Sequence, residues 1–159
     1  MRKRLALALF ACATALPASA DILNQKQLET MIRKQPELSM KLIGGRQFVS
    51  VKGGEAPGSL DAAALDYGYQ VDRTDVLIVP LISGGSGGVF TTLIFTTYKG
   101  VQHYVGRIDS QGHLDVHLSQ GLILAVTPLY GPHDPQSHPS GYRTARYAIH
   151  DGRLIHLQE

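Results

Sequence analysis

The chain has 159 residues and a formal net charge of +2 at neutral pH. Arg2, Lys3 and Arg4 supply more than this excess, because without residues 1–20 the charge is 12 − 13 = −1. Nucleic-acid-binding domains are strongly basic, so the composition argues against a nucleic-acid partner. The length suffices for one domain with its own core.

Residues 1–20 have the three parts of a secretory signal peptide. The basic residues 2–4 precede an uncharged apolar run at residues 5–16, and the small residues Ala18, Ser19 and Ala20 follow. This order predicts cleavage after Ala20 and export of the chain from Asp21 to the periplasm or the medium of a bacterial cell. The apolar run is shorter than the ~20 residues of a membrane-spanning helix, so we expect no transmembrane segment.

Cys12 suggests an alternative way in which the signal segment could be processed. Residues 9–12 resemble a lipobox, in which Cys12 would carry a lipid anchor. Cys12 is also the only cysteine, so cleavage after Ala20 leaves a cysteine-free mature domain. We therefore expect the mature domain to depend on its core rather than on disulfides.

A short helix is predicted at the start of the mature chain. Asn24 and Gln27 have the spacing of a capping box, and Pro36 is expected to end the helix. The helix presents one apolar stripe, made by Leu28, Met31 and Ile32. Residues 37–43 are ambiguous and fit a second short helix that ends at Gly44 and Gly45.

The rest of the chain has the composition of short strands between turns. We expect strands at residues 47–51, 76–82, 89–98, 101–108, 113–118, 122–127, 142–150 and 153–157. Pro80 removes one ladder donor and predicts a bulge or a sheet edge. The predicted fold class is α+β, mainly β: an N-terminal helix followed by an antiparallel β-meander curled into a sheet or partial barrel. One domain spans residues 21–159, with a helical lead-in at 21–45 and the sheet at 46–159.

A glycine-rich loop is the first candidate site. It consists of Gly84, Gly85, Ser86, Gly87 and Gly88. The run matches the G-x-S-x-G pattern of serine nucleophiles, but the residues after it favour a strand rather than the required helix. It also resembles the Gly-Asp-Ser-Gly-Gly of trypsin-like proteases, which implies a histidine upstream, whereas the first histidine is His103. We expect a structural or ligand-contacting loop, with catalysis by Ser86 as the alternative.

A second candidate site is the alternating set His113, Asp115 and His117. On a strand these three side chains share one face, and two imidazoles with a carboxylate are a common ligand set for zinc or iron. The set spans roughly 13 Å along a strand, which is too far for one ion without a bend. We expect a solvated strand face, with a divalent metal site completed from another strand as the alternative. No other cofactor is predicted.

The histidines are distributed unevenly, because all seven lie between His103 and His156. His133 and His138 flank a proline-rich loop with Asp134 between them, and they are candidates to supplement a metal site. As a group, seven protonated histidines would change the charge of residues 21–159 from −1 to −1 + 7 = +6. We expect these to be incidental surface histidines, with a change of affinity for an anionic partner in mild acid as the alternative.

Two functional hypotheses follow from these features. The favoured one is an exported binding module of the cell envelope, whose sheet and loops at residues 83–88 and 128–140 contact a protein or glycan rather than a small molecule. The alternative is a metal-dependent or hydrolytic enzyme that uses His113, Asp115 and His117, or Ser86.

Overall fold

A computed structural model describes residues 23–52, 57–83, 88–99, 101–110, 112–135 and 138–158. The predicted signal peptide at residues 1–20, with Cys12, lies outside the described residues. The fold is mainly β with one short helix, as predicted. Its elements are α1 (Gln25–Arg33), β1 (Leu38–Ile43), β2 (Arg46–Val51), β3 (Gly58–Leu60), a 3-10 turn (Ala62–Ala64), β4 (Asp66–Tyr69), β5 (Asp75–Ile82), β6 (Val89–Tyr98), β7 (Val101–Asp109), β8 (Asp115–Ser119), β9 (Leu122–Leu129), β10 (Gly141–His150) and β11 (Arg153–Leu157).

The predicted helix α1 is confirmed together with its capping box. The Asn24 side chain accepts a hydrogen bond from the Gln27 N–H at 3.0 Å, and the Gln27 side chain accepts one from the Asn24 N–H at 2.9 Å. The apolar stripe of α1 is buried. No helix in the described part of the chain is long and apolar enough to cross a membrane.

The strands form two antiparallel sheets instead of the single curled meander that was predicted. Sheet A has the order β1-β2-β3-β5-β6-β7, with β4 also paired to β5, and sheet B has the order β11-β10-β9-β8. The chain changes sheet between β7 and β8. Sheet A does not close into a barrel, because its edge strands β1 and β7 are not neighbours in the hydrogen-bonded order.

Residues 38–43 form the strand β1, so the helical alternative for this segment is wrong and the sheet begins before residue 46. Gly44 and Gly45 have φ angles of +57° and +80°, which are left-handed values that glycine adopts readily. They form the turn of a β1–β2 hairpin, with Ile43 opposite Arg46. Glycines that were read as a helix end therefore close a hairpin.

Sheet A lies between α1 and sheet B, which gives the protein two cores. One core joins α1 to a face of sheet A, and the other joins the opposite face to sheet B. On β5, Leu77 and Val79 belong to the first core, whereas Val76 and Ile78 belong to the second. Burial on both faces explains why this strand is apolar throughout.

Pro80 lies inside sheet A, at a gap beside β5. The pairing of β4 with β5 extends to Ile78, and the pairing of β3 with β5 begins at Leu81. The predicted irregularity is present next to Pro80, because the register with β6 shifts between Leu81 and Ile82. This position lets a central strand contain a residue that has no N–H donor.

Two glutamine side chains connect the layers by acting as peptide groups. The buried Gln70 amide accepts from the Ile149 N–H at 2.7 Å and donates to the Ile149 C=O at 3.3 Å, which joins sheet A to β10. The Gln35 amide donates to the Gln102 C=O and accepts from the Tyr104 N–H, both at 3.1 Å, on the free edge of β7. Each glutamine forms hydrogen bonds with backbone N–H and C=O groups of a strand at a place where no neighbouring strand pairs with them.

Candidate functional site

The longer connections between strands lie together at one end of the two sheets. The β5–β6, β7–β8 and β9–β10 connections form this loop end, whose described residues are 83, 88, 110, 112–114, 130–135 and 138–140. Leu114 N–H donates to the Val89 C=O at 2.8 Å, which ties the β7–β8 connection to the start of β6. The opposite, turn end carries the tight β1–β2, β4–β5, β6–β7, β8–β9 and β10–β11 hairpins. Both loops that were predicted to contact a partner therefore share one end.

The β9–β10 loop is held in shape by Asp134. Its carboxylate accepts hydrogen bonds from the Gly131 N–H at 2.7 Å, from the Ser140 N–H at 2.8 Å and from the Ser140 hydroxyl. These donors, with the Ser140 hydroxyl contributing most, hold the pKa of Asp134 below its ordinary value. The carboxylate thus holds the two ends of the loop together. Metal binding by His133 and His138 stays an untested prediction.

Replacing Asp134 with alanine is expected to loosen this loop without unfolding the sheets. Amide exchange at Gly131 and Ser140, and cleavage of the loop by proteases, should both accelerate. The lowered pKa means that the carboxylate holds the loop above the ordinary aspartate pKa of about 4 and releases it as the pH falls through the lowered value. Asp115→Ala, which removes an exposed carboxylate elsewhere on sheet B, is the control. Equal exchange rates in both variants would contradict the proposed restraint.

Exposed aromatic side chains border the same loop. Tyr130 is 45 % exposed and Tyr142 is 66 % exposed, and Tyr142 lies opposite Pro128 on the neighbouring strand. A Cβ added to Gly112 would be 3.8 Å from both Pro128 and Tyr130, so the β7–β8 connection passes beside them. Tyrosine combines an apolar ring with a polar tip, which suits a recognition surface.

The glycine-rich loop connects two strands of sheet A. Gly84, Gly85, Ser86 and Gly87 lie outside the described residues, and the flanking Ser83 N–H donates to the Gly88 C=O at 2.9 Å. This bond closes a β5–β6 connection that leads directly into a strand. A serine nucleophile on a G-x-S-x-G turn is instead followed by a helix. Catalysis by Ser86 stays an untested prediction.

The His113, Asp115 and His117 set is only partly assembled. His117 Nδ1 lies 3.3 Å from Asp115 Oδ2 on β8, whereas His113 is exposed and precedes the strand. Zinc sites need three or four protein ligands. Within the described ranges, no three histidine, cysteine, aspartate or glutamate side chains are grouped to hold a metal. Asp115 and His117 are thus close neighbours on the solvated face of β8, and a metal site there stays an untested prediction.

A groove at the turn end brings together polar residues that were not predicted to meet. It has a volume of about 700 Å³ and lies between the β4–β5, β6–β7 and β10–β11 turns. His150 Nε2 is 3.4 Å from Asp151 Oδ2 there. The Thr74 N–H, followed by the Thr74 hydroxyl, lowers the pKa of Asp72. The groove is lined by Asp72, Arg73, Asp75, His103, His150 and Asp151, among others.

The groove residues were missed because they lie on three separate hairpins. Asp151 and Gly152 were recognised as a turn, and register alone pairs His103 with Thr96. The convergence of the hairpins depends on how sheet B packs on sheet A, which turn residues do not encode.

Comparison with known proteins gives no information about the function of the chain. No family model matches the chain, and no curated protein and no solved structure matches it either. In the described structure, the loop end combines the β9–β10 loop held by Asp134, the exposed tyrosines and the neighbouring β5–β6 and β7–β8 connections. It is therefore the candidate functional site.

Proposed function

We propose that this chain is an exported binding module of the bacterial cell envelope and that its loop end contacts a protein or glycan. The observation that carries the proposal is the convergence of the β5–β6, β7–β8 and β9–β10 connections at one end of the sheets. Binding residues are frequently placed on loops that a rigid scaffold positions. The signal-like residues 1–20 support the proposed location.

The restraint on the β9–β10 loop supports binding by a preorganised surface. Asp134 fixes both ends of the loop before any partner arrives. A loop that is already ordered loses less conformational entropy on association, so more of its contact energy becomes affinity. The neighbouring Tyr130 and Tyr142 supply contact area with few rotatable bonds.

Site-specific photocrosslinking tests the proposal. A diazirine-bearing residue is placed at the exposed His133 in the loop, or at Ile43, which is 52 % exposed beside the β1–β2 turn at the opposite end. With envelope extract, the probe at position 133 is expected to give discrete protein or glycan adducts in higher yield than the probe at position 43. Adding Asp134→Ala should reduce that yield. Equal yields from both ends, or adducts insensitive to Asp134→Ala, would overturn the proposal.

A further inference from the structure

The outer face of sheet B carries an apolar strip beside polar side chains such as His117 and Arg146, although this face points away from both cores. Ile123 and Ala125 of β9 are buried against sheet A, so the alternating residues Leu122, Leu124 and Val126 face outward. All three outward side chains keep partial exposure. The register extends this face across the sheet to Ala148, Ile155 and Leu157.

A shallow groove of about 490 Å³ lies at the turn end of this face. Leu122, Ala148 and Leu157 line it, together with Ile155, which is 39 % exposed, and Val71, which is 80 % exposed. Exposed apolar groups on neighbouring strands form a continuous patch, and patches of this kind mark sites of interaction with proteins or membranes.

Ionisable groups lie on the same face and along the neighbouring turn-end groove. The sum of their charges depends on whether the histidines are protonated. His117 lies beside Asp115 on β8. His117 pairs with Leu124 on β9, and Leu124 pairs in turn with Arg146 on β10. His150 lies beside Asp151 and opposite Arg153, and it shares the turn-end groove with Asp72, Arg73, Asp75 and His103. The fixed charges of these groups sum to 3 − 4 = −1. Protonation of the three histidines gives −1 + 3 = +2, which reverses the sign.

Sheet B with its connections changes charge in the same direction. Residues 112–158 contain three arginines and three aspartates, a balance of 3 − 3 = 0, and six of the seven histidines. These six are His113, His117, His133, His138, His150 and His156. Histidine is the side chain that gains charge between pH 7.5 and pH 5.5. Protonation of these six side chains would make this half of the molecule cationic.

We propose that the outer face of sheet B docks on an anionic lipid surface in mild acid, independently of the loop end. The charge of the protonated face complements phosphate headgroups, and the apolar patch enters the boundary between headgroups and acyl chains. A soluble anionic glycan would be attracted by the same charge but would gain nothing from the patch. Lipid is therefore the partner that uses both properties.

Vesicle co-sedimentation tests this docking with the chain from residue 21, which contains the whole described fold. Vesicles of phosphatidylglycerol and phosphatidylcholine are compared with phosphatidylcholine alone, at pH 5.5 and pH 7.5. Partitioning onto the anionic vesicles is expected to rise at least tenfold in acid, because each of the three added cations is attracted to the anionic surface. Partitioning that does not differ between the two lipid compositions at pH 5.5 would overturn the proposal.

Variants separate the contributions of charge and patch. His117→Gln with His150→Gln should abolish most of the acid-dependent gain, whereas the matched pair His133→Gln with His138→Gln, at the loop end, should retain it. Ile155→Ser should weaken binding at pH 5.5 while leaving heparin binding unchanged. Equal loss from both histidine pairs, or vesicle binding insensitive to Ile155→Ser, would contradict docking through this face and would indicate a nonspecific or glycan-type attraction. Circular dichroism verifies that each variant is folded.

Discussion

Replacing Gln70 with leucine is expected to lower the free energy of unfolding by about 3 kcal/mol, because each buried backbone group left without a partner costs about 1–3 kcal/mol. The Gln70 amide is the hydrogen-bond partner of both the N–H and the C=O of Ile149. Ile149 is itself buried in the core between the sheets. Leucine fills a similar volume but cannot replace either bond, so sheet B is expected to separate more readily at β10.

Urea unfolding measures this effect, with Gln158→Leu as the matched control. Gln158 is exposed after β11, so the same exchange there should change the midpoint little. At neutral pH, Gln70→Glu should destabilise at least as much as Gln70→Leu, because a buried carboxylate loses its solvation and cannot donate to the Ile149 C=O. An unchanged unfolding midpoint in Gln70→Leu would show that the two hydrogen bonds between Gln70 and Ile149 contribute nothing to stability.

Replacing Gly121 with alanine should destabilise the protein by about 3 kcal/mol, through backbone strain of roughly 1–2 kcal/mol and overpacking of similar size. Gly121 has a φ of +75°, and a Cβ there would lie 2.5 Å from Val71 Cγ2 and 2.8 Å from the Val71 nitrogen. The Val71 N–H also donates to the Gly121 C=O at 3.3 Å. The substitution therefore forces apart the β4–β5 and β8–β9 turns.

Gly152 provides a matched control for Gly121→Ala. Its φ is +70°, almost the same, but a Cβ on Gly152 meets nothing within 4 Å. Gly152→Ala should therefore cost only the backbone strain, roughly 1–2 kcal/mol. Thermal unfolding of the two variants isolates the contact between the turns. Equal losses would show that the close approach of Val71 to Gly121 is relieved at no cost.

Features encoded within a few neighbouring residues were predictable from the sequence. The capping box of Asn24 and Gln27 gave the start of α1, and Lys99 and Asp151, each followed by glycine, marked hairpins that the structure contains. These signals are local because the bonds they form join residues within four positions of one another. Most strand positions were predictable for the same reason.

The division into two sheets was not predictable from local pattern. β9 is apolar on both faces, yet its outer face keeps partial exposure. The change of sheet between β7 and β8 depends on contacts such as that of Leu114 with Val89, which are distant in sequence. The hydrogen bonds of Gln35 and Gln70 to β7 and β10 could not be predicted from neighbouring residues, because their partners are 67 or more positions away.

The candidate site was predictable in its parts but not in its assembly. The proline-rich loop was recognised from composition. The role of Asp134 in the loop was not predicted, because the sequence alone does not show that its donors are Gly131 and Ser140. That the loop shares one end with the β5–β6 connection follows only from the order of strands.

Gln35 also limits how separate copies of the chain meet. A strand edge with free N–H and C=O groups is a template for pairing with another molecule and leads to aggregation. On β7 the Gln35 amide already occupies the groups of Gln102 and Tyr104, and a register irregularity follows at once where β7 passes Ile94 and Phe95. On β8 the Asp66 carboxylate likewise accepts from the Leu118 N–H. In the described structure, side chains thus occupy backbone groups on the edges of β7 and β8, which favours a dispersed protein over one that polymerises through these strands.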